Sequence, residues 1–246
     1  GLGDVYKRQV LSGSMPSVVI YFQMHQPYRL RRYSVFDQRP QYFDDASNTE
    51  ICRKVAEKCY RPGLQMLLDL VRRHRGAFRV AISITGTLLE QLEAGSPDVV
   101  ALLRELVQTG SCEVLGETYY HSLSSLYSPD EFAMQVAMHT RRMEEVFSVT
   151  PRVFRNTELI YSNEVARAIG AMKDANGKPR FTGVLIEGVP NLLGRRSVGK
   201  VYSAAGSPLR VLMRSATLSD DIAFRFSDRH WNQWPLTAGK LSLIHI

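Results

Sequence analysis

The sequence predicts an α/β fold built on a parallel sheet, and three observations carry that expectation. Short apolar runs alternate with amphipathic stripes from Val18 to Ile186, the rhythm of strand, helix, strand. No glycine-rich turn follows the first run, which ends in Met24-His25-Gln26-Pro27, so a dinucleotide-binding doubly wound sheet is excluded. Polar residues gather where the runs end, at the C-terminal strand ends that barrel enzymes use for chemistry. The 246 residues match the length of a one-domain α/β barrel. With six or seven strands, a barrel is as economical as an open sheet.

Each element has a local reason. Val18–Met24 is a short apolar run fit for a buried parallel strand. Between Arg61 and Arg75, Leu64, Leu67, Leu68 and Val71 give the i, i+3, i+4, i+7 stripe of an amphipathic helix. Phe78–Ile84 reads as the second strand. Ser96-Pro97-Asp98 then supplies an N-cap, a first-turn proline and a first-turn acid. The helix they open is striped by Val99, Leu102, Leu103 and Leu106 and stops at Gly110. Cys112–Leu115 is the third strand, and Ser128-Pro129-Asp130-Glu131 is a capping box that opens a helix to Phe147. Arg152–Arg155 is the fourth strand. Val165, Ala168, Ile169 and Met172 stripe the next helix, and Phe181–Ile186 is the fifth strand. Val198–Arg214 reads as one or two further strands, turning at Gly206-Ser207-Pro208.

Composition excludes several classes. At 44% apolar and 22% charged, the chain is neither disordered nor collagen-like nor disulfide-dense. The net charge of +7 comes from Lys and Arg scattered along helix faces and loops, not gathered with aromatics, so no nucleic-acid partner is inferred. No apolar run reaches the roughly 18–20 residues of a membrane span. Three unpatterned cysteines, Cys52, Cys59 and Cys112, suit a reducing cytoplasm and read as structural. Gly1–Gln9 and Ser242–Ile246 do not read like the rest and resemble translated sequencing-adapter fragments. The expected organisation is a non-native leader over residues 1–14, an incomplete catalytic domain over 15–241 and a non-native tail over 242–246.

The candidate chemistry lies at the strand ends. The first delivers His25 and Gln26; the third delivers Glu113 and, beyond it, Glu117 and His121. The fourth delivers Asn156, Thr157 and Glu158, and the late segment delivers Ser219, Asp220 and Asp221. Carboxylates with histidine and no cysteine nucleophile suit retaining glycoside cleavage, in which two carboxyl groups from different elements lie about 5–5.5 Å apart. Glu158 and an Asp of the 220/221 pair meet that demand. Metal-dependent hydrolysis is the rival, with His25, His121 and an Asp as ligands, but no HxxxH or HExxH element supports it. Tyr119, Tyr120, Trp231 and Trp234 could stack on sugar rings or pack under loops. Asp228, between turn residues and beside Arg229 and His230, reads as a solvated turn.

These residues resemble glycoside hydrolase family 57, in its α-amylase-like branch, over Pro16 to Leu241. His25-Gln26-Pro27, Gly110–Val114, Phe154–Leu159 and Leu218–Ile222 are similar, in order, to four of its five motifs. The resemblance implies a seven-stranded (β/α) parallel barrel, truncated at its C-terminal side. It also implies a retaining α-1,4-glucan hydrolase of α-amylase type with no cofactor and no catalytic metal. Glu158 is then the nucleophile and Asp221 the acid/base, with Asp220 the alternative. His25, Gln26 and Glu113 hold the substrate, an α-glucan or maltooligosaccharide. A 4-α-glucanotransferase or branching enzyme is the nearest alternative, disfavoured because Ile222-Ala223-Phe224 replaces the Gly-Glu-Lys of the transferases. A metal-dependent polysaccharide deacetylase on a similar barrel and an inactive α-glucan-binding protein are the others. The fifth motif is absent.

Overall fold

A computed structural model describes residues 17–245, with side chains to 241. The leader expected over residues 1–14 and the side chains of the tail over 242–246 lie outside the described residues. Two compact units are present: Tyr21–Ala216, and residues 17–20 with 217–245.

The larger unit holds every strand among the described residues. They are β1 (Tyr21–Met24), β2 (Val80–Ile84), β3 (Cys112–Val114), β4 (Val153–Arg155), β5 (Gly183–Glu187), β6 (Tyr202–Ser203) and β7 (Arg210–Arg214). They form two sheets, not the closed seven-stranded barrel that the family resemblance implies. One has three parallel strands in the order β1-β2-β3; the other has four in the order β4-β5-β7-β6. The sheets meet at one edge and stay apart at the other. The seam between the sheets is a single parallel bridge, Gly116 with Phe154, made by Gly116 N–H to Val153 O (2.9 Å) and Arg155 N–H to Gly116 O (2.7 Å). At the other side, β6 pairs antiparallel with β7 through the turn at Gly206 and occupies the edge that a barrel would offer to β1. β1 pairs with β2 alone, so it is an edge strand with an exposed Phe22, not the buried strand its apolar run predicts.

The helices follow their sequence signals closely. The α1 helix (Asp45–Val55) starts at Asp44, whose carboxylate accepts from Ser47 N–H. A π-helical stretch, Ala56–Tyr60, leads into α2 (Arg61–His74), which buries Leu64, Leu67, Leu68 and Val71 and stops where Arg75 turns left-handed. α3 (Gly86–Gly95) has no counterpart in the sequence reading; Thr85 caps it by accepting from Leu88 N–H. α4 (Pro97–Gln108) begins at Ser96, but the Ser96 hydroxyl makes no capping bond and only its carbonyl engages, accepting from Val99 N–H. Half of the expected capping box forms at the start of α5 (Pro129–Phe147): Ser128 Oγ accepts from Glu131 N–H, while Ser128 N–H donates to Ser124 O and the Glu131 carboxylate accepts from Gln135. α6 (Asn163–Ala171) buries Val165 and Ile169.

These helices pack on the outer faces of both sheets. Leu68, Ile82, Leu88, Leu103 and Met143 belong to one core, and Phe132, Phe154, Phe181 and Leu209 to another. Cys52 and Cys112 are buried in the first and Cys59 is exposed; all three are free thiols. A third, smaller core of Ala81, Leu115, Leu159 and Leu185 lies on the inner faces, flanked by Tyr21, Val153 and Leu212. Just past that inner core, toward the C-terminal strand ends, the residues turn polar.

The seam tolerates no side chain at Gly116: a Cβ there would lie 2.7 Å from Phe181 Cε1. Gly116→Ala should therefore cost about 1–3 kcal/mol, as overpacking of a tight core does. Gly63→Ala, in open space within α2, should instead add about 0.5–1 kcal/mol. Urea unfolding of the two variants checks the pair, and an unchanged midpoint for Gly116→Ala would show that the seam is loose.

Candidate active site

The inner polar row begins with alternation. Gln23 of β1 is in register with Ser83 of β2, and both follow apolar inner positions, Tyr21 and Ala81, by two residues. On the third strand, Leu115 is an inner core residue and Glu117 follows it by two. The Gly116–Phe154 bridge sets Glu117 beside Arg155 on the neighbouring strand. Glu117 is 0% exposed, and its Oε1 accepts from Ser83 Oγ at 2.6 Å.

Two loops bring their tips together over this row. After β3 the chain turns at Thr118 and reaches His121, which has left-handed backbone at φ 55°. After β4 it runs through Asn156 and Thr157 to Glu158, also left-handed at φ 52° and ψ 24°. A hydroxyl–hydroxyl bond, Thr118 to Thr157 at 3.0 Å, ties the loops. His121 Nε2 lies 3.0 Å from Glu158 Oε1. A carboxylate offers only acceptors, so the ring nitrogen donates. The other ring nitrogen, Nδ1, is 3.2 Å from Gln23 Nε2 and 3.5 Å from Glu117 Oε2. His25 stacks on His121 with ring centroids 4.4 Å apart, and its Nδ1 is 2.9 Å from Thr85 Oγ1.

Glu158 is held without being buried. Its side chain is 70% exposed, and only Oε1 is hydrogen-bonded among the described residues. The surrounding turn forces its backbone. Asn156 Nδ2 donates to Ile160 O and Ser125 Oγ, both at 3.0 Å, and Leu159 is buried in the inner core. Non-glycine residues in this region cost about 1–3 kcal/mol each, and such strain clusters at functional sites.

The two histidines are tuned in opposite directions. Burial lowers the His25 pKa, the neighbouring His121 lowers it further, and the result is a ring that resists protonation. Burial would lower His121 too, but the carboxylates of Glu117, 3.5 Å from Nδ1, and Glu158, 3.0 Å from Nε2, outweigh it and raise its pKa.

The sequence candidates divide accordingly. His25, Glu117, His121 and Glu158 come together, and Asn156 and Thr157 brace the turn. Gln26 does not face the site: its Oε1 accepts from Arg29 Nη2 at 2.9 Å and its carbonyl from Gln91 Nε2. Glu113 lies on the inner face in the middle of β3, in register with Ala81 and short of the strand's C-terminal end, and loss of hydration raises its carboxyl pKa. Asp220 and Asp221 belong to the smaller unit. Asp221 is buried and its Oδ1 accepts from Arg225 Nη1, whereas Asp220 is half-buried at the end of a short helix, Ala216–Asp220. Tyr119 is buried and donates to Glu90, which makes it a packing residue; Tyr120 and Trp234 are exposed. Asp228 is an exposed turn residue, accepting from His230 N–H. Among the described residues, no three His, Cys, Asp or Glu side chains are grouped to hold a metal ion, and no helix is long and apolar enough to cross a membrane. Gln23, Ser83 and Arg155 went unmarked in the sequence, although polar residues interrupting apolar strands were a signal for all three.

An exposed, strained carboxylate held by a histidine at the C-terminal ends of parallel strands defines an α/β protein with a carboxylate–histidine centre. Comparison with known proteins supplies the family. The family model "Glycosyl hydrolase family 57" matches residues 19–243. A Methanocaldococcus jannaschii protein described as "Putative alpha-amylase" is 40% identical over 230 residues, 92% of this chain and 47% of that protein. An α-amylase of Pyrococcus abyssi is 30% identical over 86 residues, 35% of this chain and 12% of that protein. Among solved structures, the 4-α-glucanotransferase of Thermococcus litoralis superposes with a TM-score of 0.63 at 16% identity, covering 84% of this chain and 29% of that one. The α-amylase AmyC of Thermotoga maritima gives 0.60 at 14%, covering 84% and 47%. The chain belongs to glycosyl hydrolase family 57, in its α-amylase-like branch. It spans about half the length of the Methanocaldococcus jannaschii relative.

Two measurements check the site. Ring 15N spectra across pH should place the His25 midpoint below 6.5 and the His121 midpoint above it. The stability consequences have opposite signs. His121 adds stability that is complete below its unfolded value and is lost as pH rises through its folded midpoint. His25 removes stability as pH falls below its unfolded value. Coincident midpoints would refute the opposed tuning. Glu158→Gly should relieve the left-handed backbone and raise unfolding free energy by roughly 0.5–1 kcal/mol, net of the added chain entropy; a loss of stability in urea would show that the turn is unstrained.

Proposed function

We propose that the chain carries the nucleophile of a retaining glycoside hydrolase that cleaves α-1,4-glucans. The observation that carries this reading is Glu158: exposed, strained, fixed at one oxygen by His121 and, among the described residues, with no hydrogen bond at the other. Membership of family 57 and relatives described as α-amylases support an α-glucan as the substrate class.

In this reading Glu158 attacks C1 of a glucosyl unit as the bond from C1 to the 4-oxygen of the next unit breaks. Asp221 gives its proton to that oxygen, and the leaving chain departs as an alcohol. The glycosyl-enzyme ester is then opened by water, whose proton returns to Asp221 while Glu158 leaves as carboxylate. A sugar hydroxyl in place of water would give chain transfer from the same intermediate. Asp220 is the alternative acid/base. In this reading His25, its ring fixed by Thr85, bonds a sugar hydroxyl beside C1.

A 5-fluoro-α-glucosyl fluoride should form a stable ester, and peptide mass spectrometry should find it on Glu158. Glu158→Gln should lower kcat on maltoheptaose by at least about 10³-fold, the scale on which loss of a covalent nucleophile is felt. Azide should restore turnover to Asp221→Ala on a substrate with a good leaving group, yielding a glycosyl azide. The label on another residue, or wild-type turnover by Glu158→Gln, would overturn the reading. Azide rescue of Asp220→Ala instead would move the acid/base by one residue.

A further inference from the structure

The mechanism above leaves one group unused. Arg155 is 5% exposed, yet its Nε and Nη1 are buried with no hydrogen-bond partner, and it forms no ion pair among the described residues. It sits in register beside Glu117, whose Oε2 is likewise without a hydrogen bond and only reaches 3.5 Å from His121 Nδ1. Removing a guanidinium from water without giving it a bond is costly, and a structural residue would have been better replaced by an apolar one. Both incompletely bonded charges lie on the inner face and act on the same imidazole.

That imidazole has one contested atom. Nε2 is committed as a donor to Glu158. At Nδ1, the Gln23 amide donates and so favours the neutral ring, whereas the Glu117 carboxylate needs a proton there and favours the imidazolium. Rotating the Gln23 amide to present Oε1 would accommodate the charged form. The charged and titratable groups that face His121 are Glu117 from the third strand, Glu158 from its opposite loop, His25 from β1 and Arg155 from β4. Glu117 and Glu158 draw a proton to the ring, and Arg155 opposes them. The ring's charge matters to both half-reactions: a neutral His121 leaves Glu158 the better nucleophile, and an imidazolium makes it the better leaving group.

We propose that Glu117 and Arg155 are positioning residues that act through His121, balancing its charge so that Glu158 can serve first as nucleophile and then as leaving group. This rests on the reading of Glu158 as the nucleophile. No atom of either residue need touch the substrate.

The test is a titration of His121 by ring 15N spectra of the whole chain. Arg155→Met should raise the His121 midpoint by about one pH unit and Glu117→Gln should lower it by a similar amount. The double variant and Arg155→Lys should return near the wild-type value. Arg155→Gln removes the charge while keeping an amide donor, so it repeats the test if Arg155→Met does not fold. With the fluoroglycosyl reagent, Arg155→Met should label more slowly, and Glu117→Gln should lose its label more slowly. An unmoved His121 midpoint in both single variants would overturn the proposal, whatever the label shows. A shifted midpoint with the label on a residue other than Glu158 would refute the nucleophile, and with it the coupling to Glu158.

Discussion

The two backbone hydrogen bonds at Gly116 join the sheets, and the candidate site follows from them. The bridge to Phe154 fixes which residues of the third and fourth strands are neighbours. It sets Glu117 beside Arg155 and starts two loops side by side, so that the Thr118–Thr157 bond is short-range in space though 39 residues apart in sequence. From there His121 and Glu158 meet within three or four residues of chain on either side. A glycine is needed because the Phe154 and Phe181 rings occupy the space a side chain would take. The seam therefore couples the packing of the outer core to the placement of the inner carboxylates.

The joined loops carry strain at the two residues that touch. Left-handed backbone at a non-glycine residue costs about 1–2 kcal/mol, and His121 and Glu158 both bear it, as does Leu159 beside Glu158. What offsets the cost is visible around them: Leu159 buried in the inner core, Asn156 bonded in two directions, and Thr157 tied across the seam. None of these touches the carboxylate of Glu158. Stability invested in the turn is thus separate from the group it presents, which leaves that carboxylate open to solvent while its backbone is fixed.

Much of this was legible in the sequence because local rules decide it. Apolar stripes located α2 and α4, Gly206-Ser207-Pro208 located the turn between β6 and β7, and Ser128-Pro129 marked the start of α5. Closure of the sheet was not legible, since it depends on pairing between distant edges. The antiparallel return of β6, which takes the edge a barrel would need, has no signature in its two residues. Within the site, Glu158, His25, His121 and Glu117 were found because they follow strands. The motif points to Glu113, yet strand position separates it from Glu117: Glu113 is the middle residue of β3, and Glu117 lies three residues past its end. Gln26 was chosen by adjacency to His25, but alternation along β1 makes Gln23, not Gln26, the residue that reaches the inner row. The opposite tuning of two stacked histidines arises because Glu117 and Glu158 act on both rings but make direct contacts only with His121, while burial prevails at His25, and only tertiary structure supplies that.

A contrast between the sheets shows why chemistry gathers on one side of the inner face. In the second sheet, the polar layer beyond Leu185 and Leu212 is Glu187 and Arg214, in register on adjacent strands and hydrogen-bonded at 2.8 Å. In the first sheet and across the seam, the corresponding pair is Glu117 and Arg155, also in register, but with Oε2, Nε and Nη1 unbonded. The same residue types in the same relation give a satisfied ion pair in one place and an unsatisfied one in the other. Geometry accounts for the difference: Glu187 and Arg214 meet along five paired residues of two regular strands, whereas a single bridge carries the register of Glu117 and Arg155. Loosened from each other, these two charges act on what lies between the loops. There they surround the one ring that holds Glu158, and a buried polar group left unpaired in an otherwise well-bonded fold marks the place where local stability yields to function.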